Sequence, residues 1–178
     1  MPSRTPLLDD RAIGRTLARM ASEIVERSGG TEELVLVGIQ RRGVELAGRL
    51  KQLIDAAEGS NLQSGKLDIT LYRDDLQTIG PRPVVGETSL PNVDGKTVVI
   101  VDDVLYTGRT VRAALDEFAD FGRPRRIFLC VLIDRGGREL PVQADIVGTS
   151  VGTRPGDRVD VFVSELDGRD AVELVRKG

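Results

Sequence analysis

Apolar residues along this chain alternate between helical and strand spacing. A first helix is predicted after Asp9 or Asp10, either of which can act as its N-cap, and before the glycines at 29 and 30. The apolar face of that helix consists of residues three or four positions apart, namely Ile13, Leu17, Met20 and Ile24. Continuous apolar runs follow at 34–39, 98–101 and 127–133, and such runs are typical of parallel strands that are buried on both faces.

Further elements complete an alternating order of strands and helices. Helices are predicted from Gly43 to about Ala57 and from 111 to 121, a strand from 125 to 134, and shorter strands at 65–73, 145–148 and 159–163. In the strand at 65–73, apolar Leu67, Ile69 and Leu71 alternate with polar Asp68, Thr70 and Tyr72. Because helices between strands form right-handed crossovers, the pattern predicts one α/β domain over residues 1–178, with a mainly parallel sheet flanked by helices.

The composition limits the chemistry that this domain can perform. The chain has 178 residues, a formal net charge of −3 and no histidine, which excludes Ser-His-Asp catalysis, Cys-His catalysis and zinc sites that contain histidine. Carboxylate, arginine, lysine, tyrosine and backbone chemistry remain, and Mg²⁺ held through substrate phosphates is compatible with them.

The same composition bears on the compartment. The single cysteine, Cys130, lies in an apolar run and is expected in the core. No run approaches the roughly 18 apolar residues of a membrane span, and positions 1–15 lack the apolar segment of a signal peptide. We therefore expect no membrane partner and a cytoplasmic protein.

The apolar run at 98–101 is followed directly by polar residues suited to a ligand. Asp102 and Asp103 are adjacent carboxylates, and ligands of open α/β sheets bind beyond the carboxyl ends of the strands. The following segment, 107–110, offers N–H groups at a helix start, two hydroxyls, a glycine and an arginine, which together suit a phosphate. The run predicts a ligand with a diol and a phosphate, such as a ribose 5-phosphate; the alternative is an ordinary strand followed by a capped helix.

Residues 74–95 have no regular period and contain several prolines and glycines. A loop this long within a compact domain is usually functional or disordered. Beside a phosphosugar site, we expect it to be a lid.

The strand tip resembles the phosphoribosyl diphosphate (PRPP) signature of type I phosphoribosyltransferases. All thirteen positions match: Val98, Val99, Ile100, Val101, Asp102, Asp103, Val104, Leu105, Tyr106, Thr107, Gly108, Arg109 and Thr110. Four further segments, at 37–43, 67–76, 122–124 and 134–141, are similar to the family of bifunctional pyrimidine-operon attenuators and uracil phosphoribosyltransferases. The resemblance extends from about Leu8 to Gly148.

This resemblance implies a fold, an activity and partners. The implied fold is the type I phosphoribosyltransferase fold with a flexible hood loop. The implied activity is Mg²⁺-dependent formation of UMP and diphosphate from uracil and PRPP. Members also bind pyrimidine-operon leader RNA in response to uridine nucleotides such as UMP and UTP, and they usually form homodimers or larger homo-oligomers.

The resemblance also implies roles in PRPP binding. Asp102 and Asp103 would hold the ribose hydroxyls and water in the Mg²⁺ shell, and residues 107–110 would hold the 5-phosphate. Arg41 and Arg42 would meet the diphosphate, and Arg73 would add charge as the lid closes. Asp102, Asp103 and Arg42 are thus the candidate catalytic residues. For the two arginines at 41 and 42, a solvated loop is the alternative.

For the acceptor base, the resemblance points to residues 145–148. Ile146 and Val147 would contact uracil, and an ordinary core position is the alternative for Ile146. Tyr106 stands where purine-specific relatives generally carry an aspartate, which favours a pyrimidine. The alternative for Tyr106 is that it only packs against its loop.

Candidate RNA contacts lie on the polar face of the first helix and in one loop: Arg11, Arg15, Arg19, Arg27 and Arg138. The chain departs from the family pattern at Ser22 and Gly137, where histidine is usual, at Gln143, where arginine is common, and across 149–154. Because RNA affinity is largely electrostatic, these departures leave two alternatives open. One is a phosphoribosyltransferase without RNA regulation, and the other is an RNA-binding nucleotide sensor with little catalysis.

Overall fold

The computed structural model describes residues 1–69 and 88–178, and within them the chain forms two sheets. The elements are β1 (Ser3–Leu8), α1 (Asp10–Ser28), β2 (Leu34–Ile39), α2 (Arg42–Glu58), β3 (Gln63–Leu67), β4 (Thr97–Leu105), α3 (Arg109–Phe118), β5 (Arg126–Asp134), β6 (Ile146–Ser150), β7 (Arg158–Phe162), α4 (Ser164–Asp167) and β8 (Ala171–Arg176). A five-stranded parallel sheet has the strand order β3-β2-β4-β5-β6, and a three-stranded antiparallel sheet has the order β1-β8-β7.

Helices cover both faces of the parallel sheet. The apolar faces of α1 and α2 share one buried cluster with Val99 and Val101 of β4, whereas α3 shares a second cluster with Val98 and Ile100. Because successive strand residues point to opposite faces, one continuous apolar run serves both cores. The α/β prediction is therefore confirmed.

The first helix forms as its pattern predicts. The Asp9 side chain accepts a hydrogen bond from the Ala12 N–H at 2.7 Å, which satisfies one of the amides at the helix start. Gly29 ends the helix at φ 70°, in the left-handed region where glycine carries no steric penalty. The third helix ends at Phe118, three residues earlier than predicted.

The predicted strand at 65–73 is wrong in its bounds and its alternation. β3 ends at Leu67, and Asp68 is buried together with its neighbours Leu67 and Ile69. The Asp68 N–H donates a hydrogen bond to the Thr88 hydroxyl at 2.9 Å. The segment that contains Thr88 therefore covers Asp68, which the alternation assigns to solvent. The rest of this prediction, 70–73, lies outside the described residues.

The predicted lid, 74–95, is described by the structure only in its last part. Residues 74–87 lie outside the described part of the chain, but 88–95 pack on the domain. Ser89 pairs with Lys66 through two backbone hydrogen bonds of 2.8 and 2.9 Å, and Val93 is fully buried.

The antiparallel sheet is absent from the sequence-based prediction, although its strand β7 confirms the predicted strand at 159–163. β1 is mostly exposed and contains Pro6, which suits an edge strand but obscures the strand pattern. β7 and β8 place Val161, Val172 and Leu174 in the same core as α1 and α2. None of the helices in the described residues has the length and apolar character needed to cross a membrane.

Candidate active site

The paired carboxylates occupy the last part of β4, which extends to Leu105, instead of following the strand. Asp102 is buried and lies opposite Val131 of β5, and Asp103 is half-buried. One oxygen of Asp102 accepts the Asp103 N–H at 2.8 Å, and one oxygen of Asp103 accepts the Val104 N–H at 2.8 Å. The main chain therefore orients both side chains at the carboxyl end of the central strand.

The turn between β4 and α3, at residues 107–110, forms a cradle at the start of the helix. Gly108 adopts φ 94°, and the Thr107 hydroxyl accepts the Arg109 N–H at 3.3 Å. On the other side, the Thr107 carbonyl accepts N–H groups of Glu139 and Leu140 at 3.0 and 3.1 Å. The loop after β5 thus fixes this turn, and the positive end of the α3 dipole suits an anion there.

The loop after β2 lies beside Asp102. A Cβ added to Gly43 would collide with the Val101 carbonyl oxygen and lie 3.2 Å from the Asp102 Cα, so only glycine permits this close approach of α2 to β4. Arg41, on the same loop, is exposed. The structure therefore brings the predicted diphosphate loop next to the predicted ribose carboxylates.

Arg42 is not a freely solvated side chain. Its Nη2 and Nε donate to the two Asp167 oxygens of α4, at 2.8 and 3.3 Å. The hydrogen bonds from Arg42 are the main reason that the pKa of Asp167 is lowered. The two residues are 125 positions apart, so no local pattern could reveal Asp167 as the partner.

The acceptor side contains Tyr106 and β6. Tyr106 is 42% exposed, and the Arg135 guanidinium carbon lies 3.8 Å from the centre of its ring. Ile146 has no exposed surface and packs in the core with α1, so its side chain takes the alternative core position. Val147 packs against the opposite core but is only partly buried, so Tyr106 and Val147 are the base-side candidates with exposed surface.

The RNA candidates on α1 differ in their surroundings. Arg15 is exposed, while Arg19 and Arg27 flank Glu23 at 3.6 Å each. Arg19 also donates to the carbonyls of Val147 and Gly148 at 3.2 and 2.5 Å, so it helps to attach α1 to β6.

The Arg138 side chain is partly buried and makes hydrogen bonds within the protein. It donates to the Val142 carbonyl at 2.8 Å, the Tyr106 carbonyl at 2.7 Å and the Asp134 carboxylate at 2.6 Å. Burial alone would raise the pKa of Asp134, but Arg138 and the Gly136 N–H outweigh it and lower the pKa. These contacts commit the Arg138 side chain to the loop after β5. Arg73 lies outside the described residues.

The parallel sheet, the strand-end carboxylates and the adjoining phosphate-type cradle define a type I phosphoribosyltransferase. The phosphoribosyl transferase domain family matches residues 3–162. A solved hypoxanthine-guanine phosphoribosyltransferase from Bacillus anthracis is similar in fold, with a TM-score of 0.71 and 17% identity over 99% of this chain and 100% of that chain.

Closer relatives narrow the class to one family. Bifunctional protein PyrR of Clostridioides difficile is 52% identical over 175 residues, covering 98% of this chain and 99% of the relative. Bifunctional protein PyrR of Thermus aquaticus is 54% identical over 178 residues, covering 99% and 98%. The chain belongs to the PyrR family. Membership confirms the predicted pyrimidine-operon regulation and uracil phosphoribosyltransferase activity.

Proposed function

We propose that this protein makes UMP and diphosphate from uracil and PRPP at the carboxyl end of β4. The observation that carries the proposal is the convergence of three features. The oriented carboxylates of Asp102 and Asp103, the cradle at 107–110 and the loop of Arg41 and Arg42 all meet at this strand end.

Each feature suits one part of PRPP. Asp102 and Asp103 would hold the ribose hydroxyls and stabilise positive charge as diphosphate leaves the anomeric carbon. The N-terminus of α3 would hold the 5-phosphate, and Arg41, Arg42 and Arg73 would hold the diphosphate. Catalysis would then come mainly from positioning and electrostatic stabilisation. Tyr106, Val147 and the β6 backbone would receive uracil.

The same carboxylates fit Mg²⁺, which phosphoribosyltransferases generally use with PRPP. Within 1–69 and 88–178, no group of three or more His, Cys, Asp or Glu side chains is placed to hold a metal by itself. Mg²⁺ usually binds through one or two carboxylates together with substrate oxygens and water. Asp102 and Asp103 would therefore hold it through water or ribose hydroxyls, and the ion would neutralise charge on the diphosphate.

Regulation would use a separate surface. Pyrimidine-operon leader RNA would contact the exposed arginines of α1, Arg15, Arg19 and Arg27, and UMP or UTP in the PRPP site would modulate that contact. A homodimer or larger homo-oligomer and a cytoplasmic location belong to the same proposal. The free, buried thiol of Cys130 is compatible with this location, because thiols in the cytosol are kept reduced.

Replacing one carboxylate tests the assigned site. Asp103→Asn should lower UMP formation at least about tenfold, because a charge that serves the ribose and its cation is lost. Diphosphate release is measured with PRPP and uracil, and in parallel with guanine or orotate. Asp116→Asn, at an exposed position of α3, is the matched control and should retain activity.

The outcomes separate the alternatives. Unchanged turnover by Asp103→Asn would refute its role. Turnover of guanine or orotate in place of uracil would identify another acceptor. Binding of UMP without turnover of any base would favour the nucleotide sensor.

A further inference from the structure

The loop after β5 holds Tyr106 through both its main chain and its ring. The Arg135 N–H donates to the Leu105 carbonyl at 3.1 Å, and Arg138 Nη1 donates to the Tyr106 carbonyl at 2.7 Å. The Arg135 guanidinium stacks on the phenol ring at 3.8 Å. Tyr106 is therefore fixed on both sides of its Cα and along its side chain.

Arg135 is itself firmly supported. The residue is buried, and its Nη2 donates to the Asp157 carbonyl at 2.7 Å. Its Nε donates to the Thr153 hydroxyl at 3.4 Å, and that hydroxyl donates to the Arg135 carbonyl at 2.9 Å. Hydrogen bonds in the guanidinium plane leave its flat face for an aromatic ring. The segment at 153–157 thus supports the ring through Arg135.

Gly137 leaves the space that the ring occupies. A Cβ at this position would lie 2.9 Å from Cδ1 of Tyr106 and still closer to Cε1. Its neighbour Gly136 has nothing within 4 Å of an added Cβ. Both glycines have left-handed backbones, with φ 80° and 70°, so a side chain strains both but collides with the ring at 137 alone.

We propose that Arg135 and Gly137 are positioning residues that place the Tyr106 ring beside the PRPP cradle and so set the affinity for the acceptor base. The inference rests on the proposed function, because Tyr106 directly precedes Thr107 of the cradle and is partly exposed at the acceptor side. A displaced ring alters the base subsite, whereas the ribose carboxylates on β4 keep their backbone hydrogen bonds.

The placement of the ring can be tested without substrate. The protein is labelled with 3-fluorotyrosine, and Tyr72→Phe assigns the two ¹⁹F resonances, since the chain has two tyrosines. Gly137→Ala should shift the Tyr106 resonance and Gly136→Ala should leave it in place. Thermal melting first shows that both variants are folded. Equal spectra for the two folded variants would overturn the proposed placement.

Kinetics test the consequence for the base. Gly137→Ala should raise the KM for uracil at least about fivefold over Gly136→Ala, with the KM for PRPP changed less than about twofold. In a Tyr106→Leu background, adding Gly137→Ala should have no such effect, because the collision is gone. A uracil effect that persists in that background would overturn the inference. If the unaltered protein forms no UMP, the proposed function fails, and dissociation constants for UMP in the same variants replace KM as the deciding measurement.

Discussion

At the scale of single residues, Glu117 stands out as a buried carboxyl group on α3. One of its oxygens accepts a hydrogen bond from the Thr88 hydroxyl at 2.5 Å. The other is buried and has no hydrogen-bond partner in the described part of the chain. Burial raises the pKa of Glu117, the Thr88 hydroxyl partly offsets that, and nearby Asp68 and Asp120 raise it further.

This raised pKa predicts a pH-dependent stability. The folded state binds the Glu117 proton more tightly than the unfolded state, so protonated Glu117 contributes to the free energy of unfolding. That contribution is complete at low pH and is lost as pH rises through the raised pKa, which lies above the ordinary 4.5. Glu117→Gln cannot ionise, so its free energy of unfolding relative to the unaltered protein should increase with pH. Urea unfolding at about pH 5 and about pH 8 measures the difference.

The control for Glu117→Gln is Asp116→Asn on the same helix, where the carboxylate is exposed. Its stability relative to the unaltered protein should depend little on pH. A Glu117→Gln difference that is constant with pH would show that Glu117 titrates normally.

At the scale of elements, the short helix α4 holds the start of α2 through Asp167. That carboxylate accepts from Arg42 and from the Val163 N–H at 2.8 Å. Asp167→Asn should raise the KM for PRPP by about threefold or more, because Arg42, to which the proposed function assigns the diphosphate, loses the charged partner that holds its guanidinium. Steady-state kinetics with varied PRPP at saturating uracil measure the change.

Asp170→Asn is the matched control for Asp167→Asn. Asp170 also accepts an N–H of this segment, from Ser164 at 2.7 Å, but it pairs with Arg49 instead of Arg42. Both variants should lose similar stability, but only Asp167→Asn should raise the KM for PRPP. Equal KM values for the two would show that α4 does not position Arg42.

The elements also show where sequence reasoning works. The PRPP run could be predicted because strand, carboxylates and cradle are consecutive, and the core strands because burial on both faces makes them uniformly apolar. Asp167 and Arg135 could not, because their roles arise from contacts between segments distant in sequence. The burial of Asp68 cannot be predicted from the alternation for the same reason, since Thr88 contacts it from 20 positions away.

At the scale of the whole molecule, charge does not favour nucleic acid. The formal net charge is −3, so attraction to RNA must come from a local surface. The proposed surface consists of the exposed arginines of α1, where Glu23 lies between Arg19 and Arg27 and partly neutralises both. Arg19 also supports β6, so Arg15 and Arg27 are the positions that can be altered with least effect on the fold.

Arg15→Gln combined with Arg27→Gln should weaken binding of the protein to its own pyrimidine-operon leader RNA and lower its salt dependence. Two phosphate contacts in single-stranded RNA correspond to a decrease of about 1.4 in the slope of log K against log salt. Filter binding across a salt series, with and without UMP, measures that slope. The control is Arg158→Gln, at an exposed position on β7, which removes one positive charge elsewhere and should leave the slope unchanged. All variants should keep UMP synthesis. Equal slopes for the α1 variant and the unaltered protein would place the RNA surface away from α1.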